Sequence, residues 1–356
     1  MSLSPRDTPN AHEEMVEDDE FWINDGNLIV SVRSDNGVRL FKIHKSTLSR
    51  QSPVFETMFN LPQESAPESE VYMGLPTMHL TDNHDDVKKL LNLVYTPLAV
   101  VDSPRFSQST QEQLLGPLRL ATKYEMEDLR QKVIKALQRD WPKTLRDWDL
   151  YQETIKAEFN EQPEDSEIVL NSNFPSWTPD PIEIIHIAQE CNVPELLPAA
   201  FYHLNRSYHA SNMGQDRIPP FTRPRLALKT ELLTPQDFHQ LMIGRQRLAD
   251  HIRSAGLLSF IRKKQELLHG HSQNSFRVEA SLKCVQAMNN YTNDHHFVEA
   301  THSKGEDPLN ELYYAAQRVP SLKDGICSSC QDFVTARIKR LRQSLWDSLE
   351  KYFSGA

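Results

Sequence analysis

The chain has 356 residues, of which 38% are hydrophobic and 25% are charged, and these values exclude a wholly disordered protein. Its formal net charge of -10 argues against an overall nucleic-acid-binding surface. No apolar run approaches the ~18 residues that a membrane span needs, and no basic flank with an apolar stretch marks a secretory signal. Four cysteines do not make a disulfide framework in a chain of this length. The composition predicts an intracellular protein, without distinguishing nucleus from cytoplasm.

The first 20 residues contain seven acids against one arginine and show no hydrophobic periodicity. Such a segment buries too little apolar surface to offset the entropy of ordering it. We therefore predict a disordered acidic arm over residues 1–20, with ordered structure beginning at Phe21.

A β-hairpin is predicted directly after this arm. Leu28, Val30 and Val32 alternate with Ile29, Ser31 and Arg33, which is the period of a strand. A second run extends from Val38 to Ile43 after a loop that contains Asn36-Gly37. Asn and Gly tolerate positive φ, and this pair between two strand-like runs is a strong hairpin signal.

Two short helices are predicted next. Ser46 and Thr47 are candidate caps for the first, and Ser52-Pro53 opens the second with Ser as the cap and Pro at the first helical position. One face of the second helix carries Phe55, Met58 and Phe59. Aromatic and Met side chains at helical spacing are typical of a face buried against a sheet, and part of this face could continue into a dimer contact.

The later elements complete a small domain. A short apolar strand near Met78–Leu80 precedes a helix with one apolar stripe, formed by Val87, Leu90, Leu91 and Val94. Residues 114–141 are predicted to form one or two further helices, which Trp141-Pro142 stops. Their apolar stripes are Leu114, Leu118 and Ala121, followed by Met126, Leu129, Val133 and Leu137. The order of elements indicates an α+β fold, in which a small sheet is capped by helices.

The remainder of the chain divides into two parts. Residues 142–180 are rich in acids, Trp and Pro, and we predict a linker or irregular connection there. Residues 181–356 are predicted to be mainly helical, and Leu241–Leu258 and Phe333–Phe353 are two of the amphipathic segments.

Residues 21–141 resemble a BTB/POZ domain. The segment DGNLIVSV…VRLFKIHKSTLSRQSPVFETMF has the pattern of its start, and HLTDNHDDVKKLLNLVYT and LLGPLRLATKYEMEDLRQKVIKAL are similar to its later strand and helices. The residues that carry the first pattern are Asp25, His44, Lys45, Leu48, Ser52 and Phe55. Segments such as PIEIIHIAQECNVPELLPAAFYHL, CSSC and LWDSLEKYF resemble the C-terminal part of BTB proteins that are abundant in mushroom-forming fungi.

The resemblance implies a homodimerising scaffold that recruits protein partners. The residues that we expect at the partner-binding surface are Asp25, His44, Lys45, Phe55, Met58 and Phe59. For Asp25 and His44 two interpretations stand: local capping and packing, or a charged floor to a groove at a dimer interface, where a buried carboxylate would need partners.

The resemblance also implies that the protein could be a substrate adaptor for a cullin-based ubiquitin ligase. The cullin-binding subset often carries an acid in the loop before the third strand. Gln63 stands at that place in the loop that begins Leu61-Pro62-Gln63-Glu64. This departure argues against adaptor activity.

The cysteines carry a metal-like signal. Cys327 and Cys330 are spaced as half of a tetrahedral zinc site, and Cys284 is a candidate third ligand. The candidates for a fourth ligand are His269, His271, His295, His296 and His302. Structural zinc, buried or free thiols and a redox pair are the alternatives, and no other cofactor is predicted. Cys191 lies in an apolar helical stripe, which favours burial as a small hydrophobic residue.

No catalytic motif is found. The chain lacks GxxxxGK[ST], GxGxxG after a strand, HExxH and GxSxG, so we predict that it is not an enzyme. An alternative function is a nucleic-acid-associated transcriptional regulator with a small structural zinc element. It would depend on residues 217–268, which have a local charge of +6, and on the basic run Arg337–Arg342. Both stretches are also typical of solvated helix faces.

Overall fold

The computed structural model describes residues 14–35, 37–61, 71–97, 108–160, 179–212, 230–257, 283–284, 286–291, 307–322 and 326–353. The chain forms two compact units. The N-terminal unit comprises Met1–Asp140, Ser176–Pro179 and Glu190–Val193. The C-terminal unit comprises Trp141–Pro175, Asp180–Gln189 and Pro194–Ala356.

A five-stranded sheet forms the base of the N-terminal unit. Its strands are β1 (Met15–Trp22), β2 (Leu28–Ser34), β3 (Gly37–Ile43), β4 (Val71–Tyr72) and β5 (Leu75–Leu80). Their order in the sheet is β1-β3-β2-β5-β4. Strands β2 and β3 pair antiparallel from Leu28↔Ile43 to Ser34↔Gly37, so the predicted hairpin is confirmed. Gly37 has a φ of 130°, and a Cβ there would lie 2.2 Å from the Glu14 carbonyl oxygen, so this position requires glycine.

Strand β1 corrects the prediction that order begins at Phe21. The strand starts at Met15 and pairs in parallel with β3. Its charge density, which suggested an unstructured arm, is partly neutralised: Lys88 Nζ lies 3.1 Å from the buried Asp18 carboxylate and 3.4 Å from Glu20. Asp18 also accepts hydrogen bonds from the backbone N–H groups of Glu20 and Phe21.

Five helices complete the described part of the N-terminal unit. They are α1 (Lys45–Gln51), α2 (Pro53–Asn60), α3 (His84–Tyr95), α4 (Gln108–Lys123) and α5 (Glu127–Leu137). Ser52 caps α2 as predicted, with its hydroxyl accepting from the Phe55 N–H at 3.1 Å. The predicted caps of α1 are wrong, because that helix begins at Lys45, whose N–H donates to the side chain of Asn27 at 2.8 Å.

The core of the N-terminal unit lies between the sheet and these helices. The predicted stripe of α3 is buried, and so are the stripes predicted along α4 and α5. Strand β2 is buried on both faces: Val30 and Val32 lie on one, and Ile29 on the other packs with Val38 and Leu40. The α+β class predicted from the order of elements is confirmed.

The rest of the described chain is helical. Its helices are α6 (Leu145–Asn160), α7 (Pro181–Glu190), α8 (Leu197–Asn212), α9 (Pro235–Ser254), α10 (Pro308–Arg318), α11 (Ser328–Asp347) and α12 (Leu349–Phe353). This confirms the prediction of a mainly helical C-terminal region. Helix α9 starts before the predicted Leu241, because Thr234 and Asp237 form a capping box. Across the described ranges, no helix is both long enough and apolar enough to cross a membrane.

Helix α6 corrects the irregular connection predicted for residues 142–180. Leu145, Trp148 and Tyr151 are buried at helical spacing, and the Trp148 ring packs 5.3 Å from the Tyr202 ring and 5.7 Å from the Trp346 ring. Trp148, one of the residues that suggested a linker, is therefore a core residue, since its partners are supplied by distant helices. Residues 161–178 lie outside the described ranges.

Candidate functional site

Asp25 and His44 form a local hydrogen-bonded pair. His44 Nε2 lies 3.2 Å from Asp25 Oδ1, and this contact holds the pKa of the Asp25 carboxyl below its usual value. The other face of the histidine is fixed by Tyr95, whose hydroxyl lies 3.1 Å from Nδ1 and accepts the His44 backbone N–H at 3.0 Å. The Asp25 side chain is 83% exposed in the single chain, so it is not buried in the fold, and its place at a dimer interface stays a prediction.

Lys45 connects the first two helices. Its Nζ donates to the Phe59 carbonyl oxygen at 3.3 Å and lies 5.0 Å from the centre of the Phe59 ring. A cation at the C-terminal end of α2 also interacts favourably with the helix dipole. The side chain therefore stabilises the packing of α1 on α2, whether or not a partner is present.

The three side chains predicted on one face of α2 separate in the structure. Phe55 is buried and stacks on Tyr124 with ring centres 4.5 Å apart. Phe59 is half-buried against Phe55, whereas Met58 is 40% exposed. The prediction of a core face is thus right for Phe55 and wrong for Met58, because the core covers Phe55 and part of Phe59 and leaves Met58 largely outside.

A second apolar stripe covers the outer side of α2. Val54 and Met58 are four residues apart and share one helix face, and Leu61 follows as the extended C-cap residue just past the end of α2. Val54 is half-buried, and Met58 and Leu61 are 40% and 60% exposed. We call these three residues the outer stripe. The outer stripe was not predicted from the sequence, although the four-residue spacing of Val54 and Met58 was a readable signal.

The sheet offers a further accessible element. Strand β1 is the outermost strand on its side of the sheet, and it exposes Met15 and Val16 at 50% and 37%. An outer strand leaves backbone N–H and C=O groups available for pairing with another chain. The exposed acids of β1 oppose uncontrolled pairing of this kind.

The three predicted metal ligands come together in the C-terminal unit. The Sγ atoms of Cys284, Cys327 and Cys330 all lie within 4.8 Å of one another, although Cys284 is 43 positions from Cys327. Cys284 and Cys330 are buried and Cys327 is exposed. Burial raises the pKa of the Cys284 and Cys330 thiols. The five histidines considered as a fourth ligand lie outside the described residues.

Cys191 is buried in the N-terminal unit, as predicted, with 2% exposure. Burial raises the pKa of its thiol. It therefore behaves as a small hydrophobic residue, apart from the other three cysteines.

The basic run near the C-terminus is one side of helix α11 with a buried apolar side behind it. Ile338, Leu341 and Arg342 are buried, Arg342 is paired with Asp149, and Lys339 and Arg340 are exposed. The described part of the 217–268 stretch is mainly α9, which also has a buried apolar side. These observations favour the helix-face interpretation over a nucleic-acid surface.

A cleft of about 510 Å³ that was not predicted from the sequence opens in the C-terminal unit. It lies between α6, α10 and α11, with Leu145, Tyr313 and Ile338 in its wall. Asp149 and Arg342 also line this cleft, but they are bound to each other, so neither is available there as a free acid or base.

Comparison with known proteins assigns the N-terminal unit. Residues 29–140 match the family model of the BTB/POZ domain. No curated protein matches the chain. The matched range runs from β2 to the residues after α5, so it includes α2 and its outer stripe.

Proposed function

Because the chain contains a BTB/POZ domain, a protein-interaction module, we propose that it is a non-enzymatic scaffold that pairs with a second copy of itself through this domain. The observation that carries the proposal is the outer stripe of α2. A soluble helix normally buries one apolar side, and α2 also has apolar side chains that are partly exposed: Met58 is 40% exposed, and Leu61, which follows the helix, is 60% exposed. A second copy is the partner that the family resemblance implies.

A two-fold pair suits this surface, because a residue near the axis meets its own copy and every contact is made twice. Complete burial of an exposed Met or Leu contributes about 1.5–3 kcal/mol. Met58 and Leu61 are already about half buried, so they contribute roughly half of that each. Association costs an estimated 4–15 kcal/mol, so the stripe needs additional contacts. The outer edge of β1 is our candidate for these contacts.

Sedimentation velocity of the full chain over a range of concentrations tests the proposal. We expect a dimer for the unmodified protein. Met58→Glu places a charge on each side of the interface, and we expect it to raise the dimer Kd by about 100-fold or more. Met242→Glu is the matched control: Met242 is also a helical Met and is 44% exposed, but it lies in α9. It should leave the Kd unchanged.

A protein that stays monomeric at every concentration would contradict the proposal. Equal weakening by both Glu variants would also contradict it, because the effect would then not belong to α2. Asp25→Ala is an additional probe, since the exposed carboxylate can reach a partner without supporting the core. We expect this variant to keep its melting temperature and to weaken the dimer.

Adaptor function in a cullin-based ubiquitin ligase is an extension of this proposal. The loop that contains Gln63 lies outside the described residues, so its support is the family resemblance alone. We would measure binding of the full chain to a purified cullin N-terminal domain, with and without Gln63→Glu. If the chain is an adaptor, restoring the acid should strengthen binding. If neither protein binds the cullin domain, the adaptor proposal is contradicted and the scaffold proposal is unaffected.

A further inference from the structure

We propose that Cys284, Cys327 and Cys330 bind one zinc ion in the C-terminal unit. Three thiols from two separate segments converge there, and such soft sulfur ligands in tetrahedral geometry are typical of zinc. The inference is independent of the proposed dimer, because all three cysteines belong to the other unit.

The spacing of the sulfur atoms fits a tetrahedral ion. With Zn–S bonds of about 2.3 Å, two ligands of a tetrahedral zinc lie about 3.8 Å apart. The Cys284 and Cys327 Sγ atoms are 3.8 Å apart, and all three sulfurs lie within 4.8 Å. A disulfide needs sulfurs about 2.05 Å apart, and the cysteines here are free. A disulfide between any two of these cysteines would also leave the third cysteine unpaired.

The local backbone supports thiolate ligands. Cys327 is the N-cap of α11, and its carbonyl oxygen accepts the N–H groups of Cys330 and Gln331, so the two cysteines lie on the first turn. The positive end of the helix dipole is a favourable place for sulfur ligands that have given up their protons to a bound metal. The Cys327 N–H also points to Cys284 Sγ at 3.5 Å, the kind of outer contact that orients a metal ligand.

Cys284 is held in place by the segment that follows it. Residues 286–291 are helical, Met288 and Tyr291 are buried, and the Tyr291 hydroxyl donates to the Ala315 carbonyl oxygen at 2.6 Å. In the described ranges no further Cys, His, Asp or Glu joins the three sulfurs, so we assign no protein residue to the fourth position. Cys327 is exposed, which leaves that side of the site open to water.

The test begins with the unmodified full chain, purified with reductant and without chelator. We expect elemental analysis to find about one zinc per chain. Replacement of zinc by Co²⁺ should produce the ligand-field absorption of a tetrahedral ion and a thiolate-to-cobalt charge-transfer band. These measurements need no variant and so do not depend on a mutant folding.

Variants then assign the ligands. Cys330→Ser should lose most of the bound zinc and weaken the charge-transfer band, because a hydroxyl is a poor substitute for a thiolate. Cys191→Ser is the matched control, since it removes another buried thiol from the N-terminal unit, and it should keep its zinc. The site would be disproved by an unmodified chain that contains no zinc and takes up no Co²⁺. Full zinc content in Cys330→Ser, or a disulfide among the three cysteines in the reduced preparation, would overturn it as well.

Discussion

Arg342 of α11 and Asp149 of α6 form a bidentate ion pair inside the C-terminal unit. Arg342 Nη1 donates to Asp149 Oδ2 at 2.7 Å, and Nη2 donates to Oδ1. The same guanidinium donates from Nε to the Leu309 carbonyl oxygen at 2.7 Å and lies 5.0 Å from the centre of the Tyr313 ring. One buried cation therefore connects α6, α10 and α11.

Removal of one partner should destabilise the protein strongly. Asp149→Ala leaves a largely buried guanidinium without its counter-charge, and we expect a loss of about 3–5 kcal/mol. The double variant Asp149→Leu/Arg342→Met replaces the pair with apolar side chains and should recover much of this loss. Urea unfolding followed by circular dichroism measures both.

The control variant Asp250→Ala breaks the exposed Arg253–Asp250 pair and should lower the free energy of unfolding by less than about 1 kcal/mol. A similar cost for the two single variants would contradict the prediction.

Ser52 should be the most sensitive serine in the first two helices. Its hydroxyl caps α2 and also donates to the Tyr124 carbonyl oxygen at 2.6 Å, in a buried position. We expect Ser52→Ala to cost about 2 kcal/mol, because it removes the cap and leaves a buried carbonyl without its donor. Ser46→Ala, at an exposed position in α1, should change the free energy of unfolding by less than about 0.5 kcal/mol. Thermal melts of the two variants compare them directly.

Gly244 should resist replacement by alanine even though it lies inside α9. A Cβ at this position would lie 2.1 Å from the ring of Phe353, which is buried and stacked on Phe201. Alanine improves helix propensity by about 1 kcal/mol, but overpacking costs about 1–3 kcal/mol, so we expect net destabilisation. The substitution Phe353→Leu should lower the free energy of unfolding less in the Gly244→Ala variant than in the unmodified protein, because the smaller side chain makes room for the new Cβ. Additive losses in this double-mutant cycle would show that the two residues do not compete for space.

His203 should make the stability of the C-terminal unit depend on pH. The ring is buried among Trp141, Trp148 and Tyr151, and neither nitrogen has a hydrogen-bond partner in the part of the chain that the structure describes. Burial and the nearby Arg206 hold the pKa of His203 well below its usual value. The unfolded chain therefore binds the proton more readily, and stability falls as the pH drops below about 6.5.

The contribution of His203 to this slope is at most about 1.4 kcal/mol per pH unit. We expect His203→Phe to flatten the pH dependence of the free energy of unfolding between pH 5 and 7, roughly the range in which histidine titrates. His239→Phe, which replaces an exposed histidine in α9, should leave the slope unchanged. An unchanged slope in His203→Phe would mean that other groups cause the acid sensitivity.

Local features of the sequence predicted much of the N-terminal unit. The Asn-Gly pair predicted the hairpin, Ser52-Pro53 predicted the start of α2, and apolar spacing predicted α3 to α5. These predictions succeed because turn preference, capping and helical period depend on residues a few positions apart. Strand β1 and helix α6 were missed because Lys88 and the distant aromatic rings that stabilise them lie far along the chain.

By itself, the sequence determined the α+β class, the resemblance to a BTB/POZ domain and the half-site Cys327-x-x-Cys330, since each is a pattern of near neighbours. Only the tertiary structure decided that Cys284 lies beside that half-site and that Arg342 is bound to Asp149, 193 positions away. It also decided that Phe55 enters the core while Met58 remains exposed. Such outcomes depend on how distant segments pack, because burial belongs to the assembled surface and not to the residue type.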